Sequence, residues 1–309
     1  MSGGILVIRG GAVGDFILTL PAIGLLRAAF PGQRLEILGY RQIAALADGR
    51  HYADAVRSIE YAPMARFFSR TADLDEGLVE YFAGFGQVVS YLSDPQGIFE
   101  GNLRRAGVKA LLPAYRPWVP GTHAARQLAM PLEQMALFLE DPAARVFPSA
   151  QDRERARDFL EGGVRVALHV GSGSVRKNWM PARWREVAKT LADRVPGLEL
   201  LLVGGEADRE PMAEMTREPG MPFRVVENLP LPELAAVLEG CSLFLGHDSG
   251  PSHLAAAVGT RCVLLFGPTD PQVWAPANPG VRVLEAPNGD FARLSVDKVL
   301  GAALEALGG

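Results

Sequence analysis

Apolar and polar positions along the chain follow two alternating periods. Short runs rich in aliphatic and β-branched residues, Gly4–Arg9, Val164–Val170, Leu198–Val203 and Cys262–Phe266 among them, read as strands buried on both faces. Between such runs, apolar positions recur at helical spacing. Phe16, Leu20 and Ile23 mark one face of Asp15–Phe30, and Trp184, Val187, Ala188, Leu191 and Val195 mark one face of Pro181–Val195. Breakers stand where elements must stop, at Pro31-Gly32, Gly162-Gly163 and Pro196-Gly197, while Pro181 suits a first helical position. Further strands are predicted over Arg34–Tyr40, Ala55–Tyr61, Gln87–Ser93, Val108–Leu112, Phe223–Val226 and Leu243–Leu245. Further helices are predicted over Gln151–Glu161, Pro232–Glu239 and Ser252–Val258. Strands alternating with helices imply a parallel sheet covered on both faces. The series restarts after the charged helix at Gln151. The expected fold class is therefore α/β, with two doubly wound domains over residues 1–150 and 151–309 and a last helix able to pack back on the first domain.

A chain of 309 residues is comfortable for two domains. With 48% hydrophobic and 21% charged residues it is not a disordered polymer. A formal net charge of -4 argues against a general nucleic-acid binder, so no nucleic-acid partner is expected. Cys241 and Cys262 each sit inside an apolar run and offer neither a disulfide framework nor zinc spacing, which fits a reducing compartment. No apolar stretch reaches the ~18 residues that span a bilayer, and the first residues carry no basic leader. A cytoplasmic location is expected, with peripheral contact at a membrane surface left open. Charge is uneven in one place: Gly101–Leu132 contains no acid, while Arg104, Arg105, Lys109, Arg116 and Arg126 are basic. A solvated face is the ordinary meaning of such a run, and an anionic partner is the other.

Ligands of doubly wound sheets sit at the carboxyl ends of strands, against helix N-termini. Three loops stand there. Gly10-Gly11-Ala12-Val13-Gly14-Asp15 lacks the G-x-G-x-x-G spacing of a dinucleotide site, and an aspartate would repel a pyrophosphate. Asp15 either receives a neutral hydroxyl or merely complements the helix dipole. Gly171–Trp179 combines small residues with Arg176 and Lys177, as a phosphate cradle would or as a solvated loop would. Gly246–His253 offers Asp248 or Ser249 as an N-cap, Gly250 for close approach and His253 in the first helical turn. No G-x-S-x-G elbow supports a serine hydrolase. His247 and His253 are not spaced for one helical face, and Asp73 and Asp75 belong to a helix start. His169 alone reads as a core histidine. No metal site is expected.

At these residues the chain resembles a known family. ILVIRGGAVGDFILTLPAIGLLRAAFPG, HVGSGSVRKNW with PARWREVAKTL, and GHDSGPSHLAAAVGTRCVLLFGPTDPQVWAP are collinear and similar to the three signatures of the family 9 glycosyltransferases, the ADP-heptose:lipopolysaccharide heptosyltransferases. The resemblance implies a GT-B fold, two Rossmann-like domains facing a cleft, with the acceptor in the first domain and the nucleotide sugar in the second. It implies inverting, metal-independent transfer of a sugar, heptose from ADP-heptose, to a lipopolysaccharide-core or related lipid-linked glycan, with no cofactor. By the same resemblance Asp15 is the base, Lys177 touches the diphosphate, and Ser172 and Gly173 form the phosphate-side loop. Glu206 lies near the ribose, and Asp248, Ser249, Gly250 and His253 form the donor loop. Met180 departs from the family pattern by separating Trp179 from Pro181. Arg104, Arg105, Arg116 and Arg126 then become candidates for an anionic acceptor or the inner face of the inner membrane. The rival classes are a Rossmann-type oxidoreductase, a non-catalytic nucleotide-sugar-binding protein and a family member using another sugar.

Overall fold

The run Gly4–Arg9 forms β1 at the centre of a five-stranded parallel sheet. Its partners are β2 (Leu35–Gly39), β3 (Ala55–Ser58), β4 (Phe85–Ser90) and β5 (Leu111–Pro113), in the order β3-β2-β1-β4-β5. Ile8 is level with Leu38 on one side and Ser90 on the other. Both faces are covered by helices α1 (Val13–Ala29), α2 (Arg41–Ala44), α3 (Glu76–Ala83), α4 (Ile98–Arg105) and α5 (Ala124–Ala129). This explains why β1 is apolar at every position from Ile5 to Ile8, all buried. On one face Leu6, Ile8, Leu38 and Val88 meet Phe67, Phe82 and Phe99. Burying each such ring contributes roughly 1.5–3 kcal/mol. The computed structural model describes residues 3–115, 118–160, 162–217 and 223–308.

A second sheet repeats the plan with one strand more. β6 (Arg165–Leu168), β7 (Glu199–Gly204), β8 (Phe223–Glu227), β9 (Leu243–His247), β10 (Cys262–Phe266) and β11 (Val281–Glu285) are parallel in the order β11-β10-β9-β6-β7-β8. Helices α6 (Ala150–Ala156), α7 (Pro181–Arg194), α8 (Arg209–Thr216), α9 (Leu231–Glu239), α10 (Gly250–Ala257), α11 (Pro271–Trp274) and α12 (Val296–Gly308) complete this unit. Trp179 and Trp184 are fully buried and meet edge to face at 5.0 Å. In each sheet the first strand lies between the second and the fourth, so the strand order reverses beside β1 and beside β6. Those reversal points are where the fold class places ligands.

The boundary between the units falls at Pro142/Ala143, earlier than the break expected at Ala150. The intervening residues are tied to the second unit: Val146 N donates to Ala257 O at 2.9 Å, and Asn278 Nδ2 donates to Ala144 O at 2.7 Å. The last helix lies within the second unit. Its buried residues Val299, Leu300, Ala302 and Ala303 join the core of the second unit, with Trp184, Leu191 and Val263. The helix expected over Gln151–Glu161 is α6 followed by a 3-10 turn over Arg157–Leu160, and Glu161 lies outside the described residues. β11 was not foreseen. Among the described residues no helix is long and apolar enough to cross a membrane.

Candidate active site

In the first unit the chain leaves β1 at Arg9 and turns into α1 through Gly10 and Gly11. Gly11 holds φ +95, and a Cβ there would stand 3.0 Å from Asp15 Oδ2, so glycine is needed for both conformation and space. Ala12, the N-cap, has no side-chain acceptor. Asp15 supplies one from the first turn, with Ala12 N donating to its Oδ2 at 3.1 Å. The other oxygen, Oδ1, lies 3.7 Å from Arg9 Nη2. Arg9 also donates to Asp15 O at 3.1 Å and to Thr19 Oγ1 at 2.9 Å, and Thr19 in turn donates to Asp15 O at 2.7 Å. Burial draws the Arg9 guanidinium below its ordinary value, opposed by the charges of Asp15 and Tyr91. Asp15 is 36% exposed, so it serves the helix end and still meets solvent. Beside it, Arg9, Tyr91, Ala114, Tyr115, Trp118, Gln127 and Leu128 line a cavity of about 40 Å³. The buried Tyr91 hydroxyl has no hydrogen-bond partner among the described residues.

In the second unit two loops meet beside β6. The loop after β6 carries Gly171–Ser174 and a 3-10 turn over Val175–Lys177; the loop after β9 starts α10. Lys177 Nζ donates to Asp248 Oδ2 at 2.7 Å, and His253 Nε2 lies 3.9 Å from Asp248 Oδ1. Ser249 is the N-cap of α10 by its backbone, yet its hydroxyl makes no cap bond. Oγ stands instead 3.2 Å from His169 Nδ1 and 3.1 Å from Ser252 Oγ. The positive end of α10 therefore has no side-chain cap, beside a lysine and an imidazole. Ser172 Oγ lies 2.7 Å from Ser174 O and 2.6 Å from Asn178 Oδ1, which shapes the loop, and Gly173 is exposed. Glu206 is exposed in the turn Glu206–Asp208 after β7.

The additional Met180 is absorbed at the entry to α7, where it forms the exposed N-cap. Trp179 stays buried, its N donating to His247 Nε2 at 2.8 Å, and Lys177 reaches Asp248 in the loop after β9. His247 Nε2 also takes the Trp184 Nε1 hydrogen at 3.3 Å, so its own proton sits on Nδ1, 3.3 Å from Gly171 O. Burial pushes the His247 imidazole down to about 3. It is a neutral structural group.

Three residues escaped the sequence reading as site groups. Arg9 is the cation beside Asp15. His169 and Asp208 form a buried pair, His169 Nε2 lying 3.2 Å from Asp208 Oδ2. Burial alone would raise the Asp208 carboxyl. The His169 hydrogen bond and charge and the Gly205 N–H, at 3.0 Å, outweigh it and hold the group below the ordinary carboxylate range. Room for Asp208 comes from Gly171, where any Cβ would collide with Oδ1.

The basic candidates are dispersed by function. Arg104 and Arg105 occupy the last turn of α4, where cations complement the dipole, and Arg105 Nη1 donates to Asn102 Oδ1 at 2.8 Å. Arg126 spends two N–H groups on Leu139 O and Glu140 O, both at 3.1 Å. Arg116 lies outside the described residues. Asp75 caps α3 through Leu78 N at 3.0 Å, as its place before the helix predicts.

Known proteins resemble this chain in sequence and in fold. The sequence model of glycosyltransferase family 9 (heptosyltransferase) matches residues 119–302. Lipopolysaccharide heptosyltransferase 1 of Pseudomonas aeruginosa is 26% identical over 285 residues, 86% of this chain and 79% of that protein. Lipopolysaccharide heptosyltransferase 1 of Escherichia coli O18:K1:H7 is 24% identical over 322 residues, covering 96% and 95%. Among solved structures, a family 9 glycosyl transferase from Veillonella parvula superposes with a TM-score of 0.80 at 21% identity, over 99% of this chain and 97% of that one. E. coli heptosyltransferase WaaC with ADP superposes with a TM-score of 0.74 at 17% identity, over 98% and 99%. The two Rossmann-like units are thus those of the GT-B class, and the chain belongs to glycosyltransferase family 9 and is a glycosyltransferase.

Proposed function

We propose that this enzyme transfers heptose from ADP-heptose to a lipopolysaccharide-core or related lipid-linked glycan, with inversion and without a metal ion. One observation carries it: Lys177, His253 and the uncapped end of α10 converge at the reversal point of the second sheet, while the first sheet presents a carboxylate at the matching point. The relatives' names, lipopolysaccharide heptosyltransferases, support the sugar and the acceptor, and the ADP in the WaaC structure supports the nucleotide.

The second unit holds the nucleotide sugar and the first the acceptor. A departing diphosphate gathers negative charge as the anomeric carbon becomes oxocarbenium-like. Lys177, the N–H groups of Gly250 and Ser252 at the start of α10, the His253 imidazole and the Ser172-Gly173 loop supply hydrogen bonds where that charge grows. Asp248 holds Lys177 until the anion arrives and then shares it. Glu206 takes ribose hydroxyls. In the first unit Asp15 accepts the proton of the attacking hydroxyl, its geometry fixed by the Ala12 N–H and the Arg9 guanidinium. Arg104, Arg105 and Arg116 meet anionic groups of the acceptor or the membrane face on which it resides, and the enzyme works from the cytoplasmic side.

A calorimetric screen of ADP-, UDP- and GDP-sugars, followed by turnover with and without a chelator, tests this. ADP-heptose is expected to bind, and its heptose to appear in the product with the opposite anomeric configuration at an unchanged rate in chelator. Preference for another nucleotide, retention of configuration or loss of turnover on chelation would overturn the respective part, and binding without turnover would make the protein a carrier.

A further inference from the structure

A chain of polar groups runs beneath the donor loop. Asp208 Oδ2 lies 3.2 Å from His169 Nε2, and His169 Nδ1 lies 3.2 Å from Ser249 Oγ. Ser249 Oγ lies 3.1 Å from Ser252 Oγ, and Ser252 Oγ donates to His247 O. These are four contacts, and each needs one proton. The carboxylate at one end and the carbonyl at the other bring none. The two hydroxyls bring one each, and a neutral imidazole brings one, which leaves a contact between two lone pairs. An imidazolium brings two, and every contact is then filled.

We propose that His169 is held as an imidazolium by Asp208 and that the pair makes the Ser249 hydroxyl a hydrogen-bond donor to the diphosphate of the donor. This rests on the donor site proposed above. With Nδ1–H donating into Ser249 Oγ, the Ser249 proton points away from His169. It goes to Ser252 in the empty site and to a phosphate oxygen in the filled one, while Ser252 keeps its bond to the His247 carbonyl. No proton leaves the imidazole and no covalent bond is broken; the Ser249–Ser252 hydrogen bond is exchanged for a charge-assisted one to the phosphate. The rearrangement is a rotation about one C–O bond. His169 and Asp208 are thus positioning residues that act through Ser249.

Burying the cation is offset by its partner. A buried charge is tolerated when paired and hydrogen-bonded, and Asp208 supplies both. Gly171 exists in the loop to let that carboxylate in, so the site is built around the pair. The other groups facing His169 do not compete for the role. His247, from β9, is kept neutral by the N–H groups of Trp179 and Trp184. Lys177 and His253 both turn to Asp248 farther along the loop. The arrangement also explains why Ser249 forgoes the cap bond that its position offers.

Nitrogen-15 NMR of the imidazoles in the full, ligand-free chain at neutral pH tests the charge directly. Both His169 nitrogens are expected to carry protons, whereas His247 carries one; His169→Gln identifies the signals. A His169 with a single protonated nitrogen would overturn the proposal. Calorimetry with inorganic diphosphate and with ADP tests the consequence. His169→Gln should weaken both about tenfold, the scale of a charge-assisted hydrogen bond. Ser249→Ala, which leaves the buried pair in place, should lose the same factor, and the double variant should lose no more than either. Additive losses would overturn the proposal. Failure of the wild-type protein to bind ADP or diphosphate would instead remove the donor-site assignment, with the NMR result still deciding the state of His169.

Discussion

The two sheets share one strand order around their first strands, and their first loops carry opposite chemistry. After β1 the helix end is closed by its own acid: Ala12 has no acceptor, Asp15 provides one, and an anion would meet a carboxylate. After β6 and β9 the helix end is left open: Ser249 could cap α10 but bonds to His169, with Lys177 and His253 alongside. One topology has therefore produced an anion-repelling corner and an anion-attracting one, through the residue at the N-cap and the third helical position. Fold class alone would have predicted two nucleotide sites. The difference in loop chemistry supports the proposed division into acceptor and donor units.

Removing the acid should have the largest effect. Asp15→Asn keeps an oxygen for the Ala12 N–H but takes no proton, so kcat should fall by about 10²–10⁴ while ADP affinity is kept. Single-turnover kinetics with calorimetry would show it. Near wild-type turnover would reduce Asp15 to a helix cap and remove the functional half of the comparison.

The opposite corner should respond in a different way. Lys177→Ala removes a charged contact in both ground and transition states, so ADP affinity and kcat/KM should each drop by about 10–100-fold. The variant also leaves Asp248 without its 2.7 Å partner, and Asp248→Asn in the same background should recover part of the binding. If Lys177→Ala binds ADP normally, the phosphates lie elsewhere.

Much of this was legible in residue order. The bounds of β1 and β10 coincide with the apolar runs Gly4–Arg9 and Cys262–Phe266, because strands buried on both faces leave no polar position to mistake. The loop that starts α10 was legible because Asp248, Ser249, Gly250 and His253 fall within six consecutive residues. β11 was not, since Val281–Glu285 is a half-exposed edge strand with Arg282 and Glu285 outward and a weak apolar signal. Nor was the Asp208–His169 pair. Its members are distant in sequence and meet only because β6 and β7 are neighbours. Arg9 reads as a strand-end arginine until Asp15 and Thr19 fold back over it.

His247 offers a smaller, titratable contrast within the second unit. Its folded value of about 3 lies below the ordinary 6.5, so the folded state binds fewer protons than the unfolded one. The stability it contributes is present above about 6.5 and lost as pH falls towards about 3, at roughly 1.4 kcal/mol per pH unit. His247→Gln keeps an acceptor near the Trp179 N–H but does not titrate. Denaturant unfolding across that range should show a shallower acid limb in the variant, and the difference between the two curves isolates this residue from Asp208 and His169. Parallel limbs would mean that His247 is protonated in the folded protein.

The smallest effect belongs to the basic stretch, where the question is whether cations of the first unit serve the acceptor or only the fold. Arg104 and Arg105 end α4, and Arg105 is bonded to Asn102; each is worth about 0.3–1 kcal/mol to the helix whatever else it does. Arg126 braces the Leu139–Glu140 turn through two carbonyls. These placements separate the two roles. Arg126→Gln should lower unfolding stability by about 1 kcal/mol, the worth of an ordinary hydrogen bond or two, and leave acceptor KM nearly unchanged. Replacing Arg104 and Arg105 together by Gln should raise acceptor KM a few-fold and flatten its dependence on salt, because exposed cations act on an anionic partner through a screened field. ADP affinity should be untouched in all three substitutions. If the Arg104/Arg105 variant changes stability but neither KM nor its salt dependence, the acid-free stretch is a solvated helix end, and the first unit's contribution to the reaction narrows to Asp15 and its Arg9 support.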